Sequence, residues 1–352
     1  MTDADSEPQV SRETSTEPAA SAGVGVPRET GARPPGLGAV SRETSPNGAS
    51  PAIHPEATPI EREAAQALHV RNIRQQQWPK PAHSRIFTVA NQKGGVGKTT
   101  TAVNIAAALG LHGLNVLVID LDPQGNASTA LGVEHRVGTG SIYDVLLSGE
   151  RIADVAQVAE VAPTLRCVPA TLDLAGADIE LTSQVAREYR LQRALDTYLE
   201  SDPDVDYVII DCPPSLGLLT LNALVAAREV LIPIQCEYYA LEGLAQLLNT
   251  VELVTSHLNP KLAVTTVLLT MYDSRTKLAD QVADEVRGHF GDLVLTPTIP
   301  RNVRVSEAPG FGQTVITYDA GSRGAISYLE AARELAERGA AAGTMNNGGN
   351  EQ

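Results

Sequence analysis

The chain has 352 residues, a formal net charge of −15 at pH 7 and an aromatic content of 4%, a length that suits one large domain or two modest ones. It contains no run of about 18 apolar residues, which excludes a transmembrane helix, and its polar, acidic N-terminus lacks the apolar segment of a secretory signal. The acidic balance excludes a protein coated in basic charge, but it allows a local basic patch.

The first residues, 1–60, are rich in Pro, Gly, Ser, Thr, Ala and Glu and contain almost no large apolar side chain. Such a segment cannot bury enough surface to offset the entropy of ordering, so we predict a disordered tail. A short helix is expected from Ile60 to Gln77, and Pro79 and Pro81 would end it. Residues 61–84 are therefore interpreted as a short helix and linker.

Strand-like and helix-like segments alternate from residue 85 to residue 339. The predicted strands are Ile86–Ala90, Val116–Asp120, Leu165–Pro169, Tyr207–Asp211, Val230–Pro233 and Ala263–Leu269. The predicted helices are Thr99–Leu111, Ile179–Leu199, Leu216–Ala227, Leu241–Leu258, Lys277–Phe290 and Ala325–Glu337. Continuous apolar strands alternating with helices predict an α/β domain with a doubly wound, mostly parallel sheet covered on both faces. Residues 340–352 are expected to form a flexible tail.

Three cysteines, Cys167, Cys212 and Cys236, lie in apolar, strand-like contexts. Their spacing matches no metal-binding motif such as C-x-x-C. We expect buried, reduced thiols in a cytoplasmic protein.

The segment Lys93-Gly94-Gly95-Val96-Gly97-Lys98-Thr99-Thr100 joins the first predicted strand to the first predicted helix. This is the context of a phosphate-binding loop, in which glycines let backbone N–H groups turn toward phosphates and the helix N-terminus adds its dipole. Lys98 supplies a charge for the outer phosphates, and Thr99 offers a hydroxyl to Mg²⁺. The loop departs from the G-x-x-x-x-G-K-[ST] pattern, because Gln92 replaces the first glycine and Lys93 adds a second lysine.

Two other apolar strands end in aspartate. Asp120 and Asp122 end the run from Val116, and because alternate residues of a strand share a face, both could point toward the phosphate pocket. One would orient the attacking water while the other supports Mg²⁺ or the loop; the alternative is a strand end followed by an Asp-Pro turn. Asp211, after Tyr207–Ile210, has the pattern of a Walker B carboxylate that holds Mg²⁺ through water.

A five-residue repeat occurs in the predicted tail: Val10–Thr14, Val26–Thr30 and Val40–Thr44 read V-S-R-E-T, V-P-R-E-T and V-S-R-E-T. One interpretation is low-complexity duplication or a short linear motif. The other is a constraint on the DNA, because GTT-TCA-CGT-GAA-AC encodes V-S-R-E-T and is its own reverse complement. Two-fold symmetric DNA-binding dimers recognise such inverted repeats. The middle copy, with Pro27, would be a degenerate site.

Taken together, the phosphate loop, the Asp-Leu-Asp-Pro-Gln-Gly-Asn run at 120–126 and Ile-Ile-Asp-Cys-Pro-Pro at 209–214 resemble the deviant Walker A ATPases. The resemblance is closest to the chromosome-partitioning ATPases called ParA or Soj, and it extends from about Arg85 to Glu337. Residues 236–243 and 299–309 also look like that family. The resemblance does not cover the tail.

The resemblance implies an ATP-bound sandwich dimer in which Lys93 reaches the partner's phosphates, as an arginine finger would. Within one subunit, Lys98 and the loop from Gly94 to Gly97 would hold the phosphates of ATP, with Thr100 at the α-phosphate. Mg²⁺ would be bound by Thr99 and by Asp211. The expected enzyme is a Mg²⁺-dependent ATPase that is slow unless stimulated.

Other positions acquire roles only from the same resemblance. Asp122 matches the catalytic aspartate that orients water, and Pro300 and Asn302 match positions that hold adenine. Arg275 and Arg304 match arginines that bind nonspecific DNA across the dimer, whereas composition alone favours solvated loop charge. The implied partners are a ParB-type centromere-binding protein and nucleoid DNA, with a polar scaffold protein as a further candidate and no membrane. If the tail repeats are translated palindromes, they are candidate sites for that ParB-type protein.

Two alternatives stay open. A positioning ATPase such as MinD shares the loop, but it would carry a basic amphipathic C-terminal helix, which Ala340–Thr344 cannot form. The chain could also act as a slow, ATP-switched DNA-binding scaffold. A nitrogenase-reductase-like carrier would need cluster cysteines, and a tyrosine autokinase would need a tyrosine-rich tail, so both are disfavoured.

Overall fold

The computed structural model describes residues 76–238 and 242–347. The predicted tail with its repeats, and the predicted helix Ile60–Gln77 up to residue 75, lie outside these residues. Gln76 and Gln77 belong to no helix.

Within the described residues, seven strands form one sheet in the order β3-β4-β2-β5-β1-β6-β7. The strands are β1 Arg85–Val89, β2 Val116–Asp120, β3 Gln157–Val158, β4 Leu165–Val168, β5 Tyr207–Asp211, β6 Glu229–Gln235 and β7 Ala263–Thr270. All neighbours pair in parallel except β3 and β4. The predicted α/β class with a mostly parallel sheet is confirmed.

The helices connect the strands and continue after the last one. They are α1 Lys98–Leu111, α2 Asn126–Ala130, α3 Ile142–Leu147, α4 Ile152–Val155, α5 Ala177–Leu181, α6 Arg190–Ser201, α7 Leu218–Ala226, α8 Glu242–His257, α9 Lys277–Phe290, α10 Val303–Glu307, α11 Val315–Tyr318 and α12 Arg323–Asn347. Short 3₁₀ turns occur at Leu172–Gly176, Arg187–Tyr189, Gly291–Leu293 and Ala308–Phe311.

Two apolar clusters cover opposite faces of the sheet. Along β1, Ile86 belongs to one cluster and Phe87 to the other, because successive side chains of a strand alternate between faces. Helices α1 and α12 pack against each other on the Phe87 face. Helices α6, α7, α8 and α9 contribute to the Ile86 face. Apolar clusters on both faces fit the fully buried central strands β2 and β5.

The predicted helix Ile179–Leu199 is wrong as a single helix. It is divided into α5, a 3₁₀ turn and α6, with Ala186 at a left-handed φ of 52° between them. The hydroxyls of Thr182 and Ser183 donate to the carbonyls of Ile179 and Glu180 at 2.5 and 2.9 Å. Such side-chain bonds compete with the helical pattern, and here they accompany its end.

Helix α12 continues past the predicted end at Glu337 as far as Asn347. The predicted tail 340–352 therefore begins with helical residues. The alanines at 340–342 have the highest helix propensity of any residue and extend the helix across Gly339.

The segment before β1 is held against the end of α1. Trp78 is buried and stacks on His112, with ring centroids 3.9 Å apart and planes within 7°. His112 follows Leu111 and caps the C-terminal end of α1, and its Nδ1 lies 2.6 Å from the carbonyl oxygen of Ala108. The stacked rings thus attach the segment before β1 to the C-terminal end of α1, the helix that begins at the glycine loop.

Candidate nucleotide-binding site

The glycine loop lies at the C-terminal end of β1 and leads directly into α1. Gly95 and Gly97 have φ values of 75° and 90°, a left-handed conformation that favours glycine. Helix α1 begins at Gly97 without a side-chain cap and without an acidic residue in its first turn. A phosphate would therefore complete this helix N-terminus and meet its positive dipole end.

Strand β7 supports the loop from a distant part of the sequence. The Thr270 hydroxyl donates to the Val96 carbonyl at 2.8 Å. Asn91, which is buried, donates from its amide to the Pro233 carbonyl at 2.9 Å and accepts from the Lys93 backbone N–H at 3.0 Å. These contacts fix both sides of the loop to neighbouring strands.

Lys98 is buried, with only 7% of its surface exposed. Its ammonium donates to the Lys93 carbonyl at 3.3 Å. Burial lowers the pKa of Lys98, while the carboxylates of Asp211 and Asp122 act in the opposite direction. A buried cation beside an open helix N-terminus is an arrangement that binds a polyanion.

Two carboxylates, Asp120 and Asp211, are register partners at the ends of β2 and β5, and both are fully buried. Asp120 accepts three hydrogen bonds: from the Ser128 N–H at 2.8 Å, the Ser128 hydroxyl at 2.7 Å and the Asp122 N–H at 3.1 Å. Burial raises the pKa of Asp120 to about 6, and the Ser128 bonds act against this increase. Asp120 therefore holds the start of α2 through these hydrogen bonds.

Asp211 differs from Asp120 because neither of its carboxylate oxygens has a hydrogen bond of ordinary geometry. Burial raises its pKa well above the ordinary value of 3.8, and the nearby Asp120 carboxylate adds to this increase. The Thr99 hydroxyl is a neighbouring side-chain donor, and it acts to lower the Asp211 pKa. Buried polar atoms without partners are rare in folded proteins. An oxygen ligand in this state suits a hard cation such as Mg²⁺.

Asp122 is partly buried on the turn that leads from β2 to α2. One of its carboxylate oxygens accepts from the Gln124 N–H at 3.0 Å, and its carbonyl accepts from the Gly125 N–H at 2.9 Å. Its charge contributes to the environments of both Lys98 and Asp211. The structure thus brings together Lys98, Asp122 and Asp211, as the sequence motifs indicate.

Lys93 lies at the outer edge of the loop, and its ammonium forms an ion pair with Glu237, which follows β6. Both side chains are about a third exposed, at 32% and 37%. In this chain the lysine therefore contacts a carboxylate of its own subunit. Glu237 stands in the motif at 236–243, and its local sequence pattern does not predict this contact.

Pro300 and Asn302 lie on a segment that is connected to the loop through β7. Tyr272, two residues after Thr270, forms a parallel bridge with Pro300. Met271 between them has a left-handed φ of 50°, a conformation that is costly for a residue with a side chain. The Asn302 side chain accepts from the Arg304 N–H at 2.9 Å and caps α10. The proposed adenine positions are therefore structurally tied to the strand that supports the loop.

Arg275 and Arg304 are exposed, and each is paired with carboxylates. Arg275 binds both oxygens of Asp273 at 2.8 and 2.7 Å, and this contact lowers the pKa of Asp273 to about 2. Arg304 contacts Glu307 at 2.9 Å and Asp319 at 3.5 Å. Both guanidinium groups are thus partly neutralised by their neighbours.

No group of three or more His, Cys, Asp or Glu side chains suited to a metal ion occurs in 76–238 and 242–347. Cys167, Cys212 and Cys236 are buried and unbridged, as predicted. In the same ranges, no helix combines the length and apolar character required to cross a bilayer. Since the described residues contain no such ligand group, a cation at the nucleotide-binding site would need phosphate oxygens as ligands in addition to Asp211 and Thr99.

A mostly parallel sheet with a glycine loop between β1 and α1, a buried loop lysine and an aspartate at the end of a neighbouring strand defines a phosphate-loop nucleotide-binding protein. A family model described as an AAA domain matches residues 84–264. The sporulation initiation inhibitor protein Soj of Bacillus subtilis is 53% identical over 255 residues, which cover 72% of this chain and 99% of that protein. The chromosome partitioning protein ParA of Myxococcus xanthus is 53% identical over 72% of this chain and 88% of its own. The chain belongs to the ParA/Soj family of chromosome-partitioning ATPases.

Solved structures agree with this fold. A Mycobacterium smegmatis protein described as cobyrinic acid a,c-diamide synthase, with bound ATP analogue and magnesium, is 41% identical, with a TM-score of 0.60 over 72% of this chain and 93% of its own. The cell division ATPase MinD of Pyrococcus furiosus has a TM-score of 0.59 over 72% of this chain and 99% of its own at 24% identity. That likeness shows the fold alone.

Proposed function

We propose that this protein is a Mg²⁺-dependent ATPase of chromosome segregation whose ATP-bound dimer holds nonspecific DNA until a ParB-type partner stimulates hydrolysis. The observation that carries the proposal is Asp211, a fully buried carboxylate without a well-formed hydrogen bond beside the buried Lys98. A site built for Mg²⁺ and polyphosphate explains both unusual groups at once.

The nucleotide-binding roles follow from position. The first-turn N–H groups of α1 and the Lys98 ammonium receive the phosphates, while Thr99 and Asp211 hold Mg²⁺. Mg²⁺ when bound neutralises charge that develops on the phosphates. Asp122 stands on the adjacent turn and orients water. Pro300 and Asn302 flank adenine on the segment bridged to Tyr272.

We assign Lys93 a second role, which it takes when the dimer forms. Its ion pair with Glu237 is partly exposed, and pairs of that kind contribute only about 0–1 kcal/mol. The phosphates of a second subunit can therefore displace Glu237. Lys93 can thus leave Glu237 and contact the second subunit only when ATP phosphates are present there to replace the carboxylate.

We assign Arg275 and Arg304 the same kind of exchange, from carboxylates of their own subunit to the phosphates of DNA. Both side chains are exposed, at 85% and 54%, so their ion pairs are weak and phosphates of DNA can compete for them. A dimer presents each arginine twice. This would allow an acidic protein to bind DNA locally and so to associate with the nucleoid.

Replacement of both arginines tests the DNA surface. We expect Arg275→Ala with Arg304→Ala to abolish ATP-dependent binding to duplex DNA at low salt, while binding of a fluorescent ATP analogue stays intact. The control is Arg151→Ala with Arg333→Ala, which also removes two ion-paired arginines, one exposed at 72% and one partly buried at 34%. Unchanged DNA affinity in the first variant would contradict this part of the proposal.

Two further variants separate the dimer from the chemical step. Lys93→Ala should bind ATP but fail to dimerise, whereas Asp122→Ala should dimerise and bind DNA but stall before hydrolysis. The ATPase rate, measured with and without DNA and a ParB-type partner, distinguishes a stimulated enzyme from a scaffold. Negligible hydrolysis under every condition would favour the scaffold.

A further inference from the structure

The backbone that follows β7 runs beside the segment that leads into α10. Tyr272 and Pro300 form a parallel bridge. The Tyr272 N–H donates to the Ile299 carbonyl at 2.9 Å, and the Arg301 N–H donates to the Tyr272 carbonyl at 3.1 Å. These hydrogen bonds fix the backbone of Arg301 next to the loop that carries Arg275.

The two arginines already assigned to DNA bring no net positive charge with their partners. Arg275 binds both carboxylate oxygens of Asp273, so that pair is formally neutral. Arg304 contacts Glu307 and Asp319, so that group has an excess of one negative charge. A DNA phosphate that binds either guanidinium must displace a carboxylate, which then remains nearby as a like charge.

Arg301 differs from both because its guanidinium is unpaired. The side chain is exposed, and within the described part of the chain it forms no ion pair, side-chain hydrogen bond or ring contact. Hydrogen bonds from Arg275 lower the pKa of Asp273 to about 2, and the charge of Arg301 adds to this decrease. Arg301 is therefore near enough to give the neutral Arg275–Asp273 pair one additional positive charge.

An unpaired guanidinium binds a phosphate without first leaving a carboxylate. Breaking an exposed ion pair lowers affinity by up to about fivefold, and a contact made by Arg301 avoids that loss. The planar guanidinium also has the geometry to bind two phosphate oxygens at once. In a two-fold symmetric dimer the contact occurs twice.

We propose that Arg301 is a third DNA-binding residue, which contacts a backbone phosphate of duplex DNA beside Arg275 and brings the positive charge that the ion-paired Arg275 and Arg304 do not. This inference rests on the proposed function, because it adds a contact to the same DNA surface. A phosphate contact carries no information about base sequence, so the contribution of Arg301 is the same for any duplex.

Binding of the full chain to a fluorescent duplex of arbitrary sequence, with Mg²⁺ and a non-hydrolysable ATP analogue, tests the proposal over a series of salt concentrations. Arg301→Ala should weaken binding about 10- to 100-fold at about 50 mM salt. It should also make the slope of log affinity against log salt shallower by about 1.8, because the dimer loses two phosphate contacts that each contribute about 0.9. Arg301→Lys keeps the charge and should keep the slope. An unchanged slope in Arg301→Ala would overturn the proposal.

Arg193→Ala is the matched control for the removal of one positive charge. Arg193 is also exposed, and its side chain has no ion pair or hydrogen bond among the residues that the structure describes. It lies on α6, which precedes the central strand β5, whereas Arg301 is bridged to the segment after the edge strand β7. The control should keep the wild-type affinity and slope. An equal loss of DNA binding in both variants would attribute the effect to overall charge and contradict a contact by Arg301.

Asp273→Asn tests the argument from ion pairs without altering Arg301. Asparagine keeps an oxygen for the Arg275 N–H, which donates to Asp273 Oδ1 at 3.1 Å, but it releases the guanidinium. DNA binding should become tighter by up to about fivefold for each arginine released. The matched control is Asp154→Asn, which releases Arg151 from a similar two-oxygen contact and should leave DNA binding unchanged. Equal or weaker DNA binding in Asp273→Asn would refute the argument that pairing limits Arg275.

Two measurements separate this inference from the proposed function. Absence of ATP-dependent DNA binding in the wild type would count against the proposed function itself. Because Arg301 stands between Pro300 and Asn302, binding of a fluorescent ATP analogue is measured for every variant. Loss of DNA binding alone in Arg301→Ala supports the proposal, whereas a parallel loss of ATP-analogue binding would assign Arg301 to the nucleotide site and exclude it.

Discussion

Replacing Asp211 with asparagine should stabilise the nucleotide-free protein while removing its response to Mg²⁺ and ATP. Asp211 is fully buried, lacks a well-formed hydrogen bond and lies beside the Asp120 carboxylate. Asparagine keeps the shape and removes the charge. Because an uncompensated buried charge is costly, its removal lowers the free energy of the folded state.

The size of this effect has a physical ceiling. At pH 7 a buried carboxyl can avoid its charge by binding a proton, and for an ordinary pKa of 3.8 that costs about 4 kcal/mol. The asparagine amide leaves a buried donor without a partner, which costs about 1–3 kcal/mol, so we expect a net gain of about 1–3 kcal/mol. Each kcal/mol raises the melting temperature by about 2–4 °C in a domain of this size. The wild type should gain about 2.7 kcal/mol from a nucleotide at 100 times its Kd, and the variant much less.

Asp120→Asn is the matched control, because Asp120 is the register partner of Asp211 and equally buried. Its carboxylate accepts three hydrogen bonds, and an amide cannot accept all of them. The control should lose about 1–3 kcal/mol, the penalty for a buried donor without a partner. Thermal unfolding followed by circular dichroism, with and without Mg²⁺ and a non-hydrolysable ATP analogue, measures all three proteins. A lower melting temperature for Asp211→Asn without nucleotide would refute the reasoning.

Three further predictions concern the loop, the turn and the tail. Glu237→Gln should release Lys93 and lower the protein concentration needed for ATP-dependent dimerisation by up to about fivefold, which corresponds to the free energy of an exposed ion pair. Sedimentation in the presence of an ATP analogue measures the dimerisation, and weaker dimerisation of the variant would contradict the prediction. Gly125→Ala should cost about 1–2 kcal/mol for its left-handed φ and more for contact with His135. Gly138→Ala, with a φ of 88° and nothing within 4 Å of a Cβ, should show only the first cost in urea unfolding. The gene should carry GTTTCACGTGAAAC at codons 10–14 and 40–44, and other codons there would exclude the palindrome hypothesis.

Sequence patterns predicted best where local chemistry marks both ends of an element. Strand β5 and helix α9 have the predicted bounds, Tyr207–Asp211 and Lys277–Phe290. The strand is an apolar run that ends at a carboxylate, and the helix begins after Thr276, whose hydroxyl accepts from the Ala279 N–H at 3.3 Å. Where polar side chains bind the backbone inside an amphipathic run, as at Thr182 and Ser183, periodicity alone predicted one helix too long.

Local sequence patterns did not predict the residues that support the site. Lys98, Asp122 and Asp211 belong to motifs, and the fold brings them together. Thr270 and Glu237 contact the loop from positions more than a hundred residues away in the chain, so only the order of the strands reveals them. The local pattern alone could not separate Asp120 from Asp122, because the contacts that distinguish them include the Ser128 hydrogen bonds to Asp120, from eight residues further along the chain.

The stacking of Trp78 on His112 supplies a fluorescent reporter without any label. Trp78 is the only tryptophan of the chain, and its ring lies on His112, the residue that caps α1. Indole emission depends on the polarity of its surroundings and on quenching by a neighbouring imidazole. Any rearrangement that lifts the entry segment from this helix would therefore change the emission spectrum of the unmodified protein. One buried ring thus allows optical, real-time observation of the helix whose opposite end begins at the glycine loop.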